Sequence, residues 1–270
     1  MIRRIREHVA QQNWFAVAVD LAIVVVGVFL GIQVSNWNQA RIDRDKAASY
    51  RQRLISELEF NGRQFRQQIA YYSTAKRHGL DALASLHGRS GSSGDGFLVD
   101  AYQATQMDLS PPKHFLFDEM VSAGLVGLLG REALQEMASD YYLSLDANVP
   151  QWLEAPPYRD ILRRSMPYAV QARIRNRCGD RLVYHGKQVI GTALPVHCAL
   201  GLSAAEVGDA VTQVRAVPRL DADLTRYLSA LDQKIGLLRG TAQQTDDLAA
   251  ALKAEQGTPS VARASRSSAA

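Results

Sequence analysis

The stretch AVDLAIVVVGVFLGIQVSNWNQAR, residues 18–41, decides the fold class of this chain. Between residues 15 and 34 only Asp20 and Gln33 are strongly polar. At about 1.5 Å per residue a helix of this length is roughly 30 Å long, which matches the hydrocarbon layer of a bilayer. A buried helix of a soluble protein is the alternative, although such helices rarely run this long. The sequence therefore predicts a transmembrane helix over residues 15–37.

The flanks of this apolar stretch favour a retained anchor over a cleaved signal peptide. Trp14 and Trp37 bracket it, and amphipathic rings favour the headgroup layer of a membrane. Three arginines precede it, as they would precede a secretion signal. However, the apolar stretch exceeds the roughly 7 to 15 residues of a signal core, and its end lacks a small-x-small cleavage site. We therefore expect a signal anchor surrounded by membrane lipid.

The charges beside the span give two readings of its orientation. Three Lys and Arg residues precede it and five follow it closely, which favours a cytoplasmic C-terminal side by the positive-inside rule. A short tail with three arginines is nevertheless hard to translocate, whereas large domains are exported despite their charge. We therefore predict an inner-membrane protein with a cytoplasmic tail over residues 1–14 and an extracytoplasmic domain over residues 38–256, periplasmic in a Gram-negative cell. Residues 257–270 are small and polar and predict a disordered tail.

Residues inside the span carry two further hypotheses. Asp20 is ionisable and therefore a functional candidate, but a carboxylate near the cytoplasmic interface also reaches that interface or pairs with a tail arginine. Gly27 and Gly31 have the GxxxG spacing that lets two helix backbones approach closely, although glycine is common in membrane spans. A homodimer in which Gln33 and Asp20 face inward is the resulting hypothesis.

The composition is that of a globular protein, with 47% hydrophobic and 21% charged residues, so the remainder of the chain can bury a core. The net charge is +4, from 31 Lys and Arg against 27 Asp and Glu, and it is well mixed. Because no dense basic run is interleaved with aromatic residues, nucleic acid is not an expected partner.

Two long amphipathic helices are predicted in the extramembrane part. The first continues from the span to about Ala84 and ends at a Gly/Ser cluster, residues 87–96. The second covers about residues 219–255 and holds a four-three apolar spacing through four coiled-coil-like heptads. The stripe of the first helix consists of Leu54, Leu58, Phe65, Tyr72 and Ala75, with Asn61 and Gln68 in polar gaps. Two such helices most simply pack antiparallel in a bundle.

Shorter helices are predicted between the two long ones, over residues 97–109, 113–124, 131–145 and 158–176. Gly124 suits the C-terminal cap of the second of these. The β-branched residues around HGK, near the cysteines, indicate a small β-hairpin. The predicted fold class is therefore all-α, with one N-terminal transmembrane helix continuing into an antiparallel helical bundle.

The two cysteines, Cys178 and Cys198, are twenty positions apart. This spacing is far from CxxC, and two thiols alone cannot close a zinc site. In an oxidising compartment they would form one disulfide, whereas two unpaired buried thiols are the alternative.

Two motifs resemble an uncharacterised domain-of-unknown-function family of single-span bacterial membrane proteins. The first is GVFLGIQVSNWNQ, residues 27–39, preceded by an acidic residue; the second is FDEMVSAGLVGLLGREALQEMASDYY, residues 117–142. In the first motif Asp20, Gln33, Asn36, Trp37 and Asn38 carry the resemblance. In the second motif Ser122, Gly124, Leu134, Tyr141 and Tyr142 carry it. The resemblance implies a single-span helical protein and no particular reaction.

The usual marks of nucleotide-binding proteins, zinc proteases and serine hydrolases do not occur in the sequence. No two histidines have metal-ligand spacing. His114 with Asp118 and Glu119 is the least poor candidate for a metal or catalytic site, although a helix pair or cap explains these residues as well. We therefore expect no cofactor, no metal and no catalytic residue.

Three classes of function follow from this architecture. We expect an interaction or scaffold protein of the cell envelope that presents its bundle to a protein partner or to a second copy of itself. A sensory input module that signals through a partner is the alternative, because a bundle joined to a span could transmit a small helix shift. An envelope enzyme is the third class.

Overall fold

The computed structural model describes residues 14–89, 92 and 94–257, with side chains from residue 18 to residue 255. The predicted tails, residues 1–14 and 257–270, lie outside the described residues apart from their inner ends. The chain divides into two compact units, Met1–Tyr50 and Arg51–Ala270.

The described part of the chain is almost entirely helical. Its helices are α1 (Trp14–Leu86), α2 (Asp95–Gln103), α3 (Phe115–Ser122), α4 (Glu132–Leu153), α5 (Pro157–Ser165), α6 (Tyr168–Cys178), α7 (Ala204–Arg215) and α8 (Leu220–Gly257), with a 3₁₀ turn at Val126–Leu129. Two strands, β1 (Arg181–His185) and β2 (Gln188–Ala193), pair antiparallel. The predicted all-α class with a small hairpin near the cysteines is confirmed.

The first unit contains the apolar stretch. A window of eighteen residues in α1 has a mean hydropathy of 2.2, and none of that window is buried. Among the described residues this is the one helix that is long and apolar enough to cross a membrane.

The second unit is organised by the apolar stripes of α1 and α8. All the stripe residues predicted for α1, and the matching series from Leu224 to Leu252 on α8, are buried. Three ion pairs join the two helices: Glu59 with Lys253, Arg66 with Asp246 and Lys76 with Asp232. From pair to pair the residue number rises on α1 and falls on α8. The two long helices are therefore antiparallel, as predicted. Since exposed ion pairs contribute at most about 1 kcal/mol each, burial of the stripes stabilises this packing.

The polar residues within the α1 stripe bind the backbone of an extended segment, residues 106–114, that lies along the helix. The side-chain amides of Asn61, Gln64 and Gln68 donate to the carbonyl oxygens of Lys113, Pro111 and Ser110, at 2.7, 3.0 and 2.8 Å. Asn61 also accepts from the Lys113 amide, at 2.8 Å. A backbone that forms neither helix nor sheet must find such partners when it is buried.

Some predicted boundaries were wrong. The helix predicted over residues 97–109 ends at Gln103, because the following segment leads to two prolines and pairs with α1 instead. The helix predicted over residues 158–176 is two helices, since Pro167 interrupts it. Helix α7 was missed, although Ser203 and Glu206 form a capping box at its start and SxxE was visible in the sequence.

A disulfide joins Cys178, at the buried end of α6, to Cys198 in the loop after β2, with the Cα atoms 5.8 Å apart. The same loop is held by His78, whose Nε2 lies 3.0 Å from the carbonyl oxygen of Pro195 and whose Nδ1 lies 2.6 Å from Asp100. The disulfide and His78 therefore attach the loop after β2 to the helical core.

Candidate interaction surface

The second resemblance motif folds into two helices, α3 and α4, with an open groove of about 530 Å³ between them. On α3 the groove is lined by Phe117, Asp118, Val121 and Ser122, which share one side of the helix. On α4 it is lined by Ser139, Asp140, Tyr142, Leu143 and Asp146. We call this surface the α3–α4 groove.

The floor of the α3–α4 groove is aromatic. The rings of Phe117 and Tyr142 stack at 4.3 Å between centroids with an angle of 5° between their planes. Tyr141 packs edge-on against Tyr142 at 4.8 Å and accepts a hydrogen bond from Thr245 of α8 at 3.0 Å. These contacts fix α3 and α4 against the core, so the groove is a preformed feature.

Glu57 of α1 connects both walls of the groove. One of its carboxylate oxygens accepts from the Tyr142 hydroxyl at 3.0 Å, and the other accepts from the backbone N–H of Leu116 at 3.2 Å. Leu116 lies in the first turn of α3, where backbone N–H groups lack helical partners and the helix dipole favours an anion. The same carboxylate therefore caps α3 and positions α4.

Burial raises the pKa of both tyrosines. The pKa of Tyr141 is raised to about 12, mainly by loss of water around the hydroxyl. The pKa of Tyr142 is raised well above its usual range, first by burial and then by the neighbouring Glu57 charge. Both hydroxyls therefore remain protonated at neutral pH and act as hydrogen-bonding groups.

The turn after α3 explains one further motif residue, Gly124. Gly124 has φ +66, and the amides of Gly124 and Leu125 donate to the carbonyls of Val121 and Met120. This is the Schellman ending of a helix, in which glycine adopts the left-handed conformation without a steric penalty. Leu134 is buried near the start of α4 and does not line the groove.

The rim of the α3–α4 groove is acidic. Asp118, Asp140 and Asp146 line it, and none of its described lining residues is basic. Val121 and Leu143 lie between these carboxylates with 55% and 69% of their surface exposed. A protein of net charge +4 therefore presents one locally negative surface around two exposed apolar side chains.

His114, Asp118 and Glu119, the least poor candidates for a metal or catalytic site in the sequence, do not come together in one cluster. His114 Nδ1 pairs with Asp118 at 2.6 Å, whereas Glu119 lies against Arg53 at 3.2 Å. Within the described ranges no group of three His, Cys, Asp or Glu side chains could hold a metal ion. The His114–Asp118 pair is exposed and resembles an ordinary helix-start pair.

The motif residues of the first unit are exposed on α1 wherever side chains are described. These residues are Asp20, Gly27, Gly31, Gln33, Asn36, Trp37 and Asn38. The side chain of Trp14 lies outside the described residues. The GxxxG homodimer therefore stays a prediction.

The sequence contained a signal for the groove that the prediction overlooked. Ser139, Tyr142, Leu143 and Asp146 have the spacing of one helix face, and they mix an exposed apolar residue with a carboxylate. That face lies opposite α3 only because Glu57 and the Phe117–Tyr142 stack bring the two helices together.

Comparison of this chain with protein-family models, with curated proteins and with solved structures gave no match.

Proposed function

We propose that this chain is a single-pass envelope protein whose helical domain binds a partner protein through the α3–α4 groove. The occupant is a basic amphipathic segment that places an apolar side chain between Val121 and Leu143 and basic side chains near Asp118, Asp140 and Asp146. The observation that carries this proposal is the acidic rim around exposed apolar residues. An anionic lipid surface is disfavoured as the occupant because the carboxylates would repel it.

The proposed topology places the N-terminus in the cytoplasm and the helical domain outside it. The disulfide between Cys178 and Cys198 supports this arrangement, because structural disulfides persist in oxidising compartments and are rare in the cytosol. An alkaline phosphatase fusion at the C-terminus is expected to be active in intact cells. An inactive phosphatase together with a fluorescent cytoplasmic reporter at the same position would contradict this topology.

The size of the groove sets the expected affinity. Burial of the parts of Val121 and Leu143 that are still exposed would contribute about 1–2 kcal/mol each, and each exposed charge pair about 0.2–1 kcal/mol. Association itself costs at least about 4 kcal/mol in lost translational and rotational freedom. We therefore expect a weak complex that dissociates further as salt screens the charges.

The test uses the full chain in non-ionic detergent and an amphipathic helical peptide built from leucine and lysine. The variant Asp140→Asn/Asp146→Asn is expected to bind this peptide about twofold to thirtyfold more weakly than the wild type. The control variant Asp209→Asn/Asp247→Asn changes the net charge equally at residues outside the groove and should retain wild-type affinity. Equal weakening by both variants, or binding of a matched leucine–glutamate peptide, would rule out the groove as the docking site.

A sensory input module that signals through this partner is the second candidate function. A separate cavity beside Trp152 and Lys234 favours it, because a sensor needs a place for its ligand.

A further inference from the structure

The cavity between the C-terminal end of α4, the connection to α5 and α8 has a volume of about 380 Å³. This volume is in the range of small-molecule sites. Its wall is mostly aromatic and aliphatic and includes Trp152, Tyr158, Tyr227, Leu231 and Leu237. Such a lining accepts an apolar or aromatic body.

Lys234 brings a positive charge to this wall. Its Nζ donates to the carbonyl oxygen of Trp152 at 2.6 Å and lies 4.8 Å from the centre of the Tyr72 ring. No carboxylate of the described residues lies within ion-pair distance of this ammonium. Burial lowers the pKa of Lys234 to about 8, so the group is still mostly charged at neutral pH.

Trp152 forms the aromatic wall beside Lys234. The residue is 7% exposed, and its indole N–H has no hydrogen-bond acceptor among the described residues. The ring packs edge-on against Phe65 at 6.0 Å, which leaves the N–H as its polar feature. The nitrogen is inaccessible to an atom the size of water, so Trp152 contributes the apolar surface of its ring to the cavity wall.

The remaining charges of the lining limit the charge of the ligand. Arg226 is a second cation, while Glu154 and Asp223 are carboxylates in the same wall. The lining charges therefore balance overall, with Lys234 the less exposed of the two cations. A ligand with one negative charge fits this balance better than a phosphate dianion.

We infer that this cavity binds a small monocarboxylate with an aromatic or branched apolar body, whose carboxylate pairs with Lys234. The aromatic wall, with Tyr158 and Tyr227 stacked at 5.7 Å, receives the apolar body. This inference goes beyond the docking of a protein segment and does not depend on it.

Three carboxylates, phenylacetate, 3-phenylpropionate and isovalerate, are titrated against the full chain in non-ionic detergent by calorimetry and thermal unfolding. At least one of them is expected to bind saturably and to raise Tm. Phenylacetamide, the uncharged counterpart of phenylacetate, is expected to bind at least tenfold more weakly than phenylacetate. Absence of saturable binding for all three up to 10 mM, or equal binding of phenylacetamide and phenylacetate, would overturn the inference.

Two variants test the location of the site. Lys234→Met should weaken carboxylate binding at least tenfold. Ala230→Trp places bulk in the cavity from an exposed lining position, so it should abolish binding without disturbing the core. Ala250→Trp, an exposed position of the same helix outside the cavity, is the matched control and should bind normally. Unchanged binding by a folded Ala230→Trp variant places the ligand elsewhere and overturns the inference.

Discussion

The hydroxyl of Tyr142 on α4 donates a hydrogen bond to Glu57 on α1 across 3.0 Å, while the second oxygen of the same carboxylate accepts from the backbone at the start of α3. A single side chain therefore holds three helices in register. This relationship decides the shape of the α3–α4 groove, because the two groove helices are otherwise joined only by a short turn and by packing.

Replacing Glu57 by Ala should destabilise the domain by about 1–3 kcal/mol, because it leaves a Tyr142 hydroxyl and a helix N-terminal amide without partners. The midpoint of unfolding in denaturant measures this loss. Glu59→Ala, which removes an exposed pair with Lys253, is the control and should change stability by less than about 1 kcal/mol. Similar losses for the two variants would contradict the structural role given to Glu57.

Asn61 makes two hydrogen bonds to the backbone of Lys113, one in each direction. Asn61→Ala should therefore destabilise the domain by about 1–3 kcal/mol and release the extended segment from α1. Hydrogen exchange measures the second effect, with faster exchange expected at the Lys113 amide. Unchanged exchange there would show that the segment is held by other contacts.

Removal of the disulfide should lower stability by about 3 kcal/mol in the chain-entropy model for a loop of this length. The variant Cys178→Ser/Cys198→Ser is compared with the wild type by thermal unfolding, with and without reductant. Reductant should lower the Tm of the wild type only. Free thiol labelling of both cysteines in intact cells would contradict both the bond and the exported topology.

The pH dependence of stability should report the partly buried Lys234. Its pKa is about 8 in the folded chain and about 10.4 when unfolded, so the unfolded state binds more protons between these values. Its contribution therefore makes the domain more stable as pH rises from about 8 to about 10. The difference in unfolding free energy between the wild type and Lys234→Met, measured across this window, isolates this contribution from that of other groups. A difference that does not change with pH would refute the lowered pKa.

The groove was only half predictable from the sequence. The helices α3 and α4, the glycine turn and the paired tyrosines follow from apolar spacing and turn chemistry, which are local properties of the chain. The partner of Tyr142 is Glu57, which is 85 positions away, and no local pattern identifies such a contact. The cavity beside Lys234 was missed for the same reason, since its wall combines residues near position 155 with residues of α8.

By itself the sequence determined the apolar helix, the buried stripes of α1 and α8 and the hairpin near the cysteines. Regularly spaced burial requires regularly spaced apolar residues, and this spacing is visible along the sequence. Only the tertiary structure decided why Asn61 and Gln68 interrupt a buried stripe: they bind the carbonyls of a distant extended segment. It also decided which carboxylates surround an apolar groove and which partly buried ammonium lacks a carboxylate partner. The physical reason is that charge and hydrogen bonding act between neighbours in space, whereas the sequence records only neighbours along the chain.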